Sequence, residues 1–208
     1  MQANSVHIST MSGKLEGFRA ISTNTLTNKF CIKMNKASKK TICSVCYSHS
    51  MLNGFRKNTA PALQRNSDLL GSRSLAKEEL PFIADSFFRF SAHGELINIQ
   101  HLANLTEIAE HNPHCTFSLW TKRKDLVERL FSYRAKPSNL ILIYSNPKIS
   151  SIIPKHGIPE YFDKTFNNVL ADEAVPLQNC TGQKCKDCLL CYKHDTTPTI
   201  VEKVKKYV

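Results

Sequence analysis

Glycine is scarce in this 208-residue chain, with seven residues in all, and none falls into a G-x-G-x-x-G or G-x-x-x-x-G-K-[ST] pattern. A glycine-rich turn cradling a dinucleotide or a nucleoside triphosphate is therefore excluded. G-x-S-x-G and H-E-x-x-H are missing too, which removes the esterase elbow and the zinc-protease helix. Long apolar runs are absent, so no segment is expected to span a bilayer and no membrane partner is expected. The stretch MQANSVHISTMSGKLEG carries no apolar core of a secretory signal, and the expected compartment is a cytoplasm. Acidic residues are few: 17 Asp and Glu stand against 28 Lys and Arg, a net charge of +11. That excess suits an anionic partner such as nucleic acid, a nucleotide or a phosphorylated metabolite. It describes a merely basic, soluble surface equally well.

Cysteine, by contrast, is plentiful, with eight residues. In a reducing cytoplasm clustered thiols bind metal more often than they form disulfides. Cys115 stands alone ahead of the strand-like TFSLW and reads as a small buried hydrophobe. The other seven form two groups. Cys180, Cys185, Cys188 and Cys191 follow the spacing C-x4-C-x2-C-x2-C. Structural zinc generally takes two C-x2-C knuckles separated by a longer loop. Three thiols at successive x2 steps suit a [4Fe-4S] cluster instead, with zinc as the alternative.

Cys43 and Cys46 form a C-x2-C pair, which alone suits a redox pair or half a zinc site, and Cys31 upstream completes C-x11-C-x2-C. Three thiolates on a cluster leave one iron open to a small molecule, whereas four close it. The chain is thus expected to hold one or two clusters. Lys29, Lys33, Lys36, Lys39 and Lys40 precede or adjoin the first pair, and Lys184, Lys186 and Lys193 surround the second group. Nearby cations favour thiolate over thiol and offset the charge of a thiolate-bound cluster. A solvated lysine loop has the same composition.

The length fits a single α/β domain, 1–208, with the cysteine segment 180–192 inside it. FFRF (87–90), CTFSLW (115–120), NLILIYS (139–145) and KTFNNVL (164–170) read as strands, while INIQHLANLTEIAEH and KDLVERLF have helical periodicity. The strand starts lie 28, 24 and 25 residues apart, about one βα unit each. The expected fold is a parallel sheet of βα units, open or a partial (β/α) barrel, with a C-terminal cysteine-rich metal-binding segment. Upstream, SVHIS and FRAIST read as strands around a turn at SGKLEG, NKFCIKM (28–34) as a further strand, and 59–80 as a helix interrupted near Gly71. The Pro-marked NPKISSIIPKHGIPEYF replaces the helix of the third crossover. Function is expected at the carboxyl ends of parallel strands. That edge would carry the loop with Cys43 and Cys46, the SAHGE loop with Gly94 and Glu95, and the TKRK loop with Lys122 and Arg123. HNPHC reads as a polar connection on the opposite edge.

FFRFSAHGELINIQHLANLTEIAEHNPHCTFSLWTKR, ICSVCYS and KCKDCLLCY together resemble the Gene product 88 domain family of phage and prophage proteins. The resemblance runs from about MSGKLEG to Tyr192 and implies a phage-associated, cysteine-rich protein of the host-cell cytoplasm. A more distant likeness is to radical S-adenosylmethionine enzymes, which use a partial (β/α) barrel and three cysteines after the first strand. By that likeness Cys31, Cys43 and Cys46 would hold an open-site cluster, and Cys180, Cys185, Cys188 and Cys191 an auxiliary one. Gly94 and Glu95 would stand where the methionine amino group binds. The chain departs from the family's C-x3-C-x2-C: Lys39 occupies the first cysteine's place, the usual aromatic is displaced to Tyr47, and His93 replaces a glycine.

Two functions follow. One is a minimal radical-type iron–sulfur enzyme acting on a nucleotide, nucleic acid or peptide. In it Glu95 meets the cofactor amine, and Lys122 and Arg123 meet an anion. The other is a non-catalytic basic protein, stabilised by iron–sulfur or zinc, that binds nucleic acid or a host protein.

Overall fold

The computed structural model describes residues 5–195 and 197–204. Seven strands lie side by side in chain order: β1 (Ile8–Thr10), β2 (Arg19–Ile21), β3 (Phe87–Phe90), β4 (Thr116–Thr121), β5 (Leu140–Ile149), β6 (Lys164–Val169) and β7 (Thr199–Lys203). β1 runs antiparallel to β2 and every other neighbouring pair is parallel. The sheet is open, with β1 and β7 at its edges. Strands in chain order, joined by crossovers of one hand, place their helices on the same face.

Those helices are α1 (Lys29–Asn35), α2 (Tyr47–Asn53) and α3 (Ala60–Ser72) between β2 and β3, and α4 (Ile99–His111) and α5 (Lys124–Phe131) in the next two crossovers; the short α6 (Cys185–Cys188) before β7 belongs to the C-terminal segment, whose Cys180, Leu190 and Cys191 pack on the other face. The alternation of β3, β4 and β5 decides what each face buries. Phe88, Phe90, Phe117, Leu119, Leu140 and Leu142 point to the helix side and form one core with α4 and α5. Ile141, Ile143, Phe166 and Ile200 form a second, smaller cluster on the other face. It is covered by Trp120 and by Cys180, Leu190 and Cys191 of the C-terminal segment.

The expected strands at 87, 115, 139 and 164 are present, as is the helix-free crossover between β5 and β6, which holds only a 3-10 turn at Lys155–Gly157. Cys115 is fully buried in the helix-side core, and burial pushes its thiol up to about 12. NKFCIKM is a correction. Phe30, Ile32 and Met34 alternate as a strand would, but the segment folds as α1. The Asn28 side chain accepts from the Phe30 and Cys31 amides and caps the helix, which satisfies donors that a strand would have needed a partner for. The strand preceding the cysteine loop is therefore β2. The expected helix at 59–80 is α3, ending at Ser72, followed by a 3-10 turn at Lys77–Glu79. β7 has no counterpart among the expected elements.

Candidate functional site

The loops after β2 and β3 are welded together by polar contacts at the carboxyl edge of the sheet. Thr23 donates its amide to the His93 carbonyl, His93 its amide to Ser22 Oγ, and Gly94 its amide to Thr25 Oγ1. Gly94 has φ +78, and a Cβ there would sit 2.2 Å from Thr23 Oγ1 and 2.6 Å from the Thr23 carbonyl oxygen. Close backbone approach at Gly94 thus serves the protein's own β2 loop. α2 is pinned to the same place. Tyr47 donates its hydroxyl to the Ala92 carbonyl at 2.6 Å, and Ser48 links Thr25 to His93 Nδ1.

Glu95 is the hub of this edge and is only 5% exposed. Its Oε1 accepts from Thr121 Oγ1 at 2.5 Å and from the Leu96 amide at 2.8 Å, and its Oε2 accepts from the Lys122 amide at 2.8 Å. A carboxylate offers roughly four acceptor positions, so about one remains. Its own carbonyl accepts from Asn28 Nδ2 at 2.8 Å, which fastens the start of α1.

Around Glu95 the structure brings together the first thiol group. Cys31 lies on α1, Cys43 in a 3-10 turn at Ile42–Val45, and Cys46 caps α2. All three are partly buried. Burial holds the Cys31 thiol well above the ordinary range. Glu95, Cys46 and Cys43 add to the rise, and Lys122 opposes it. Cys43 is raised by burial, again with Lys122 opposing and with Cys46 and Glu95 adding. These mutual effects put the three sulfurs, the carboxylate and the ammonium in one neighbourhood.

Lys122 uses one donor on Ser145 Oγ at 3.0 Å and keeps the rest. Arg123 is more committed. Its guanidinium pairs with Asp125 at 2.7 Å, donates to the Leu96 and Ile97 carbonyls, and lies 5.2 Å over the Phe30 ring. It clasps α1 to the β3 and β4 loops.

The second thiol group sits elsewhere. Cys185 and Cys188 bracket α6, Cys180 bridges to Glu202 of β7, and Cys191 packs on the second core cluster. Lys14 donates to Cys180 Sγ at 3.2 Å, and Gln183 to Cys188 Sγ at 3.3 Å. Lys184 pairs with Glu16, and the Tyr192 ring stacks on Phe18 with centroids 4.7 Å apart. Burial raises Cys180, Cys185 and Cys191, the last to about 12.

Among the described residues, no three His, Cys, Asp or Glu side chains are disposed to hold a single metal ion. Thiolate sulfur is the donor that iron–sulfur clusters take, and a cation stands near each group, Lys122 by the first and Lys14 by the second.

Residues that the spacing arguments did not single out are Arg89, Ser118 and Trp120, on the sheet face covered by the C-terminal segment, and Tyr192 of that segment. Arg89 and Ser118 are register partners in adjacent strands. The one sequence signal was the lone charge inside FFRF.

The sequence model of the Gene product 88 family matches residues 10–179. The match takes in Cys31, Cys43, Cys46, Glu95, Lys122 and Arg123 and stops one residue before Cys180, so the terminal cysteine run lies outside it. No curated protein and no solved structure matches the chain. With most of its length matched, from just before the turn of the first hairpin to the residue ahead of the last thiol group, the chain belongs to the Gene product 88 family.

Proposed function

We propose that the chain is a phage-type iron–sulfur protein built on a partial (β/α) barrel, and that its first thiol group is the reactive centre of a minimal radical-S-adenosylmethionine-like enzyme. The observation that supports this most is the grouping of Cys31, Cys43 and Cys46 with Glu95 and Lys122 at the carboxyl edge, after the first parallel strand. That edge is where parallel α/β sheets carry their chemistry. Three thiolates leave one iron open, and such a cluster would supply one-electron chemistry to a bound sulfonium cofactor. Glu95 keeps one acceptor position for the cofactor's amine, and Gly94 shapes the loop that presents it.

Lys122 keeps free donors for an anionic group. Lys29, Lys33, Lys36, Lys39 and Lys40 are all exposed on α1 and the loop after it, with no ion-pair partner among the described residues. They favour a nucleotide or nucleic-acid substrate over a peptide. The second thiol group, with four cysteines, would hold a closed cluster in this reading.

A second reading is favoured by the occupied state of Glu95 and Arg123. If their hydrogen bonds serve only the fold, the protein is a non-catalytic, metal-stabilised basic module that binds nucleic acid or a host protein, with iron–sulfur or zinc in its thiols.

Anaerobic purification with iron, sulfide and zinc analysis separates the two, followed by electron paramagnetic resonance of the dithionite-reduced chain. The enzyme reading expects labile sulfide and a signal that S-adenosylmethionine perturbs, with the perturbation lost in Cys43→Ser. A loaded protein whose spectrum ignores the ligand refutes it, and a colourless zinc protein leaves only the binding module.

A further inference from the structure

On the sheet face opposite the helices, Arg89 is 7% exposed and has no carboxylate within ion-pair distance among the described residues. Its Nε donates to the Phe90 carbonyl at 3.2 Å, and its guanidinium carbon lies 3.9 Å from the centre of the Trp120 ring. Stacking of this kind contributes about 2 kcal/mol when desolvated. Burying an unpaired charge costs several kcal/mol. The stack alone does not balance the burial, so the face as it stands lacks an anion.

Unpartnered donors collect at the same place. Two buried side-chain polar atoms, Ser118 Oγ and Trp120 Nε1, have no hydrogen-bond partner among the described residues, and the Tyr192 hydroxyl has none beyond Arg89. Ser118 is the register partner of Arg89, Trp120 lies under its guanidinium, and Tyr192 packs edge-on against Phe87, two residues before it. Native proteins leave few buried polar atoms unpaired, and two bordering one buried cation mark a site. Its roof is the C-terminal segment. Cys180 and Cys191 pack on the same cluster as Trp120, over which the Arg89 guanidinium lies.

We propose that Arg89 is the buried counter-charge of the C-terminal thiol centre, and that with Ser118, Trp120 and Tyr192 it hydrogen-bonds the sulfurs of an iron–sulfur cluster held by Cys180, Cys185, Cys188 and Cys191. The proposal rests on the iron–sulfur reading above. A thiolate-bound cluster is anionic and becomes more so when it gains one electron. A cation and donors fixed beside it favour the reduced form and raise the reduction potential. Without a bound anion Arg89 has no carboxylate partner among the described residues. The guanidinium is therefore positioned for a charge that only the loaded centre supplies.

The test uses the full chain, reconstituted anaerobically in a Cys43→Ser background so that only this centre contributes. Iron and sulfide are counted, and the midpoint is read from a dithionite titration by absorbance and electron paramagnetic resonance. Arg89→Gln is expected to keep iron and sulfide but to lower the reduced-to-oxidised ratio at fixed potential at least tenfold, about 59 mV for one electron. Arg89→Lys should recover part of the loss. Trp120→Phe keeps the ring and removes one donor, so it should shift the midpoint the same way by less, and it decides the question alone if Arg89→Gln fails to fold. Loaded variants with an unchanged midpoint overturn the proposal and leave the cluster reading intact. A chain that takes up neither iron nor sulfide overturns both.

Discussion

Replacing Glu95 by Gln tests whether the carboxyl edge is held together as the geometry describes. Oε1 serves Thr121 Oγ1 and the Leu96 amide, and Oε2 serves the Lys122 amide. A glutamine can place its one oxygen at the Oε1 position and keep two of these bonds. Its NH2 then faces the Lys122 N–H, donor against donor. The flipped amide keeps one bond and loses two. In the better orientation one bond to a charged acceptor is lost, about 1.5–3 kcal/mol, and a buried N–H is left unpaired, about 1–3 kcal/mol. The sum is about 2.5–6 kcal/mol. Glu95→Ala orphans all three donors and leaves a cavity as well, so it should cost more. Since a domain has only about 5–15 kcal/mol in hand, Glu95→Gln should remain folded but fragile. Urea unfolding followed by the single tryptophan, Trp120, and by circular dichroism would measure the loss. A loss under about 1 kcal/mol would show that the carboxylate does not tie β3 to β4, and the hub role would be wrong. The measurement also guards the functional reading, because ligand binding lost in a Glu95 variant counts only after the folded fraction is known.

If the C-terminal thiols hold a metal centre as proposed, Cys188→Ser should lower metal content and thermal stability together, because binding energy at a fold-dependent site is folding energy, whereas Cys115→Ser should leave metal content unchanged and lose only packing; metal analysis beside calorimetry checks both. His101 is fully buried, and burial lowers its pKa to about 4. Between pH 6.5 and 4 the unfolded chain therefore takes up a proton that the fold refuses, so stability falls as pH drops, by up to about 3 kcal/mol. His101→Asn should flatten that slope, and an unchanged dependence of unfolding on pH would contradict it. Gly94→Ala should destabilise by more than the roughly 1–2 kcal/mol of a left-handed residue, since the new Cβ meets Thr23 backbone atoms; a thermal melt within that range would mean that the β2 loop yields easily. If the exposed lysines of α1 and the loop after it meet phosphates, nucleic-acid binding should fall steeply with salt and weaken in Lys122→Glu across sequences; absence of binding at low salt turns them back into a solubilising surface.

The parts of the fold legible in the sequence were those written in side-chain period. β3 to β6 are apolar runs at βα spacing, and α4 and α5 repeat their apolar residues on one face. The α1 segment was misread because Phe30, Ile32 and Met34 mimic a strand, while the deciding contact is the Asn28 cap. β7 escaped because TIVEK is short and follows Pro198 directly. The thiol groups were legible as spacing alone. What each thiol stands beside depends on register, and only the pairing of Arg89 with Ser118 and the stack on Trp120 bring those residues to one face. The engagement of Glu95 was hidden for a different reason: two of its three donors are backbone amides, which leave no mark in a sequence.

The two thiol groups also differ in what they owe to the fold, and this bears on which of them is free to do chemistry. α1 and the turn at Ile42–Val45 contain no fully buried residue. They are held by caps and side-chain contacts such as Asn35 to the Cys43 carbonyl and Asn28 to the Glu95 carbonyl. Segments with so few apolar contacts open locally at low cost, which suits a site that must admit and release a ligand. The second group is the reverse case. Leu190, Cys180 and Cys191 pack on Ile141, Ile143, Phe166 and Ile200, and Tyr192 is buried against Phe18. Lifting this segment would uncover that apolar cluster, at about 25 cal/mol for each Å² exposed. Its thiols are therefore committed to structure whatever they bind, and the same commitment fixes Arg89 beneath them. If both groups hold clusters as proposed, an open coordination position suits the first, with its few apolar contacts, and charge tuning by Arg89 suits the second.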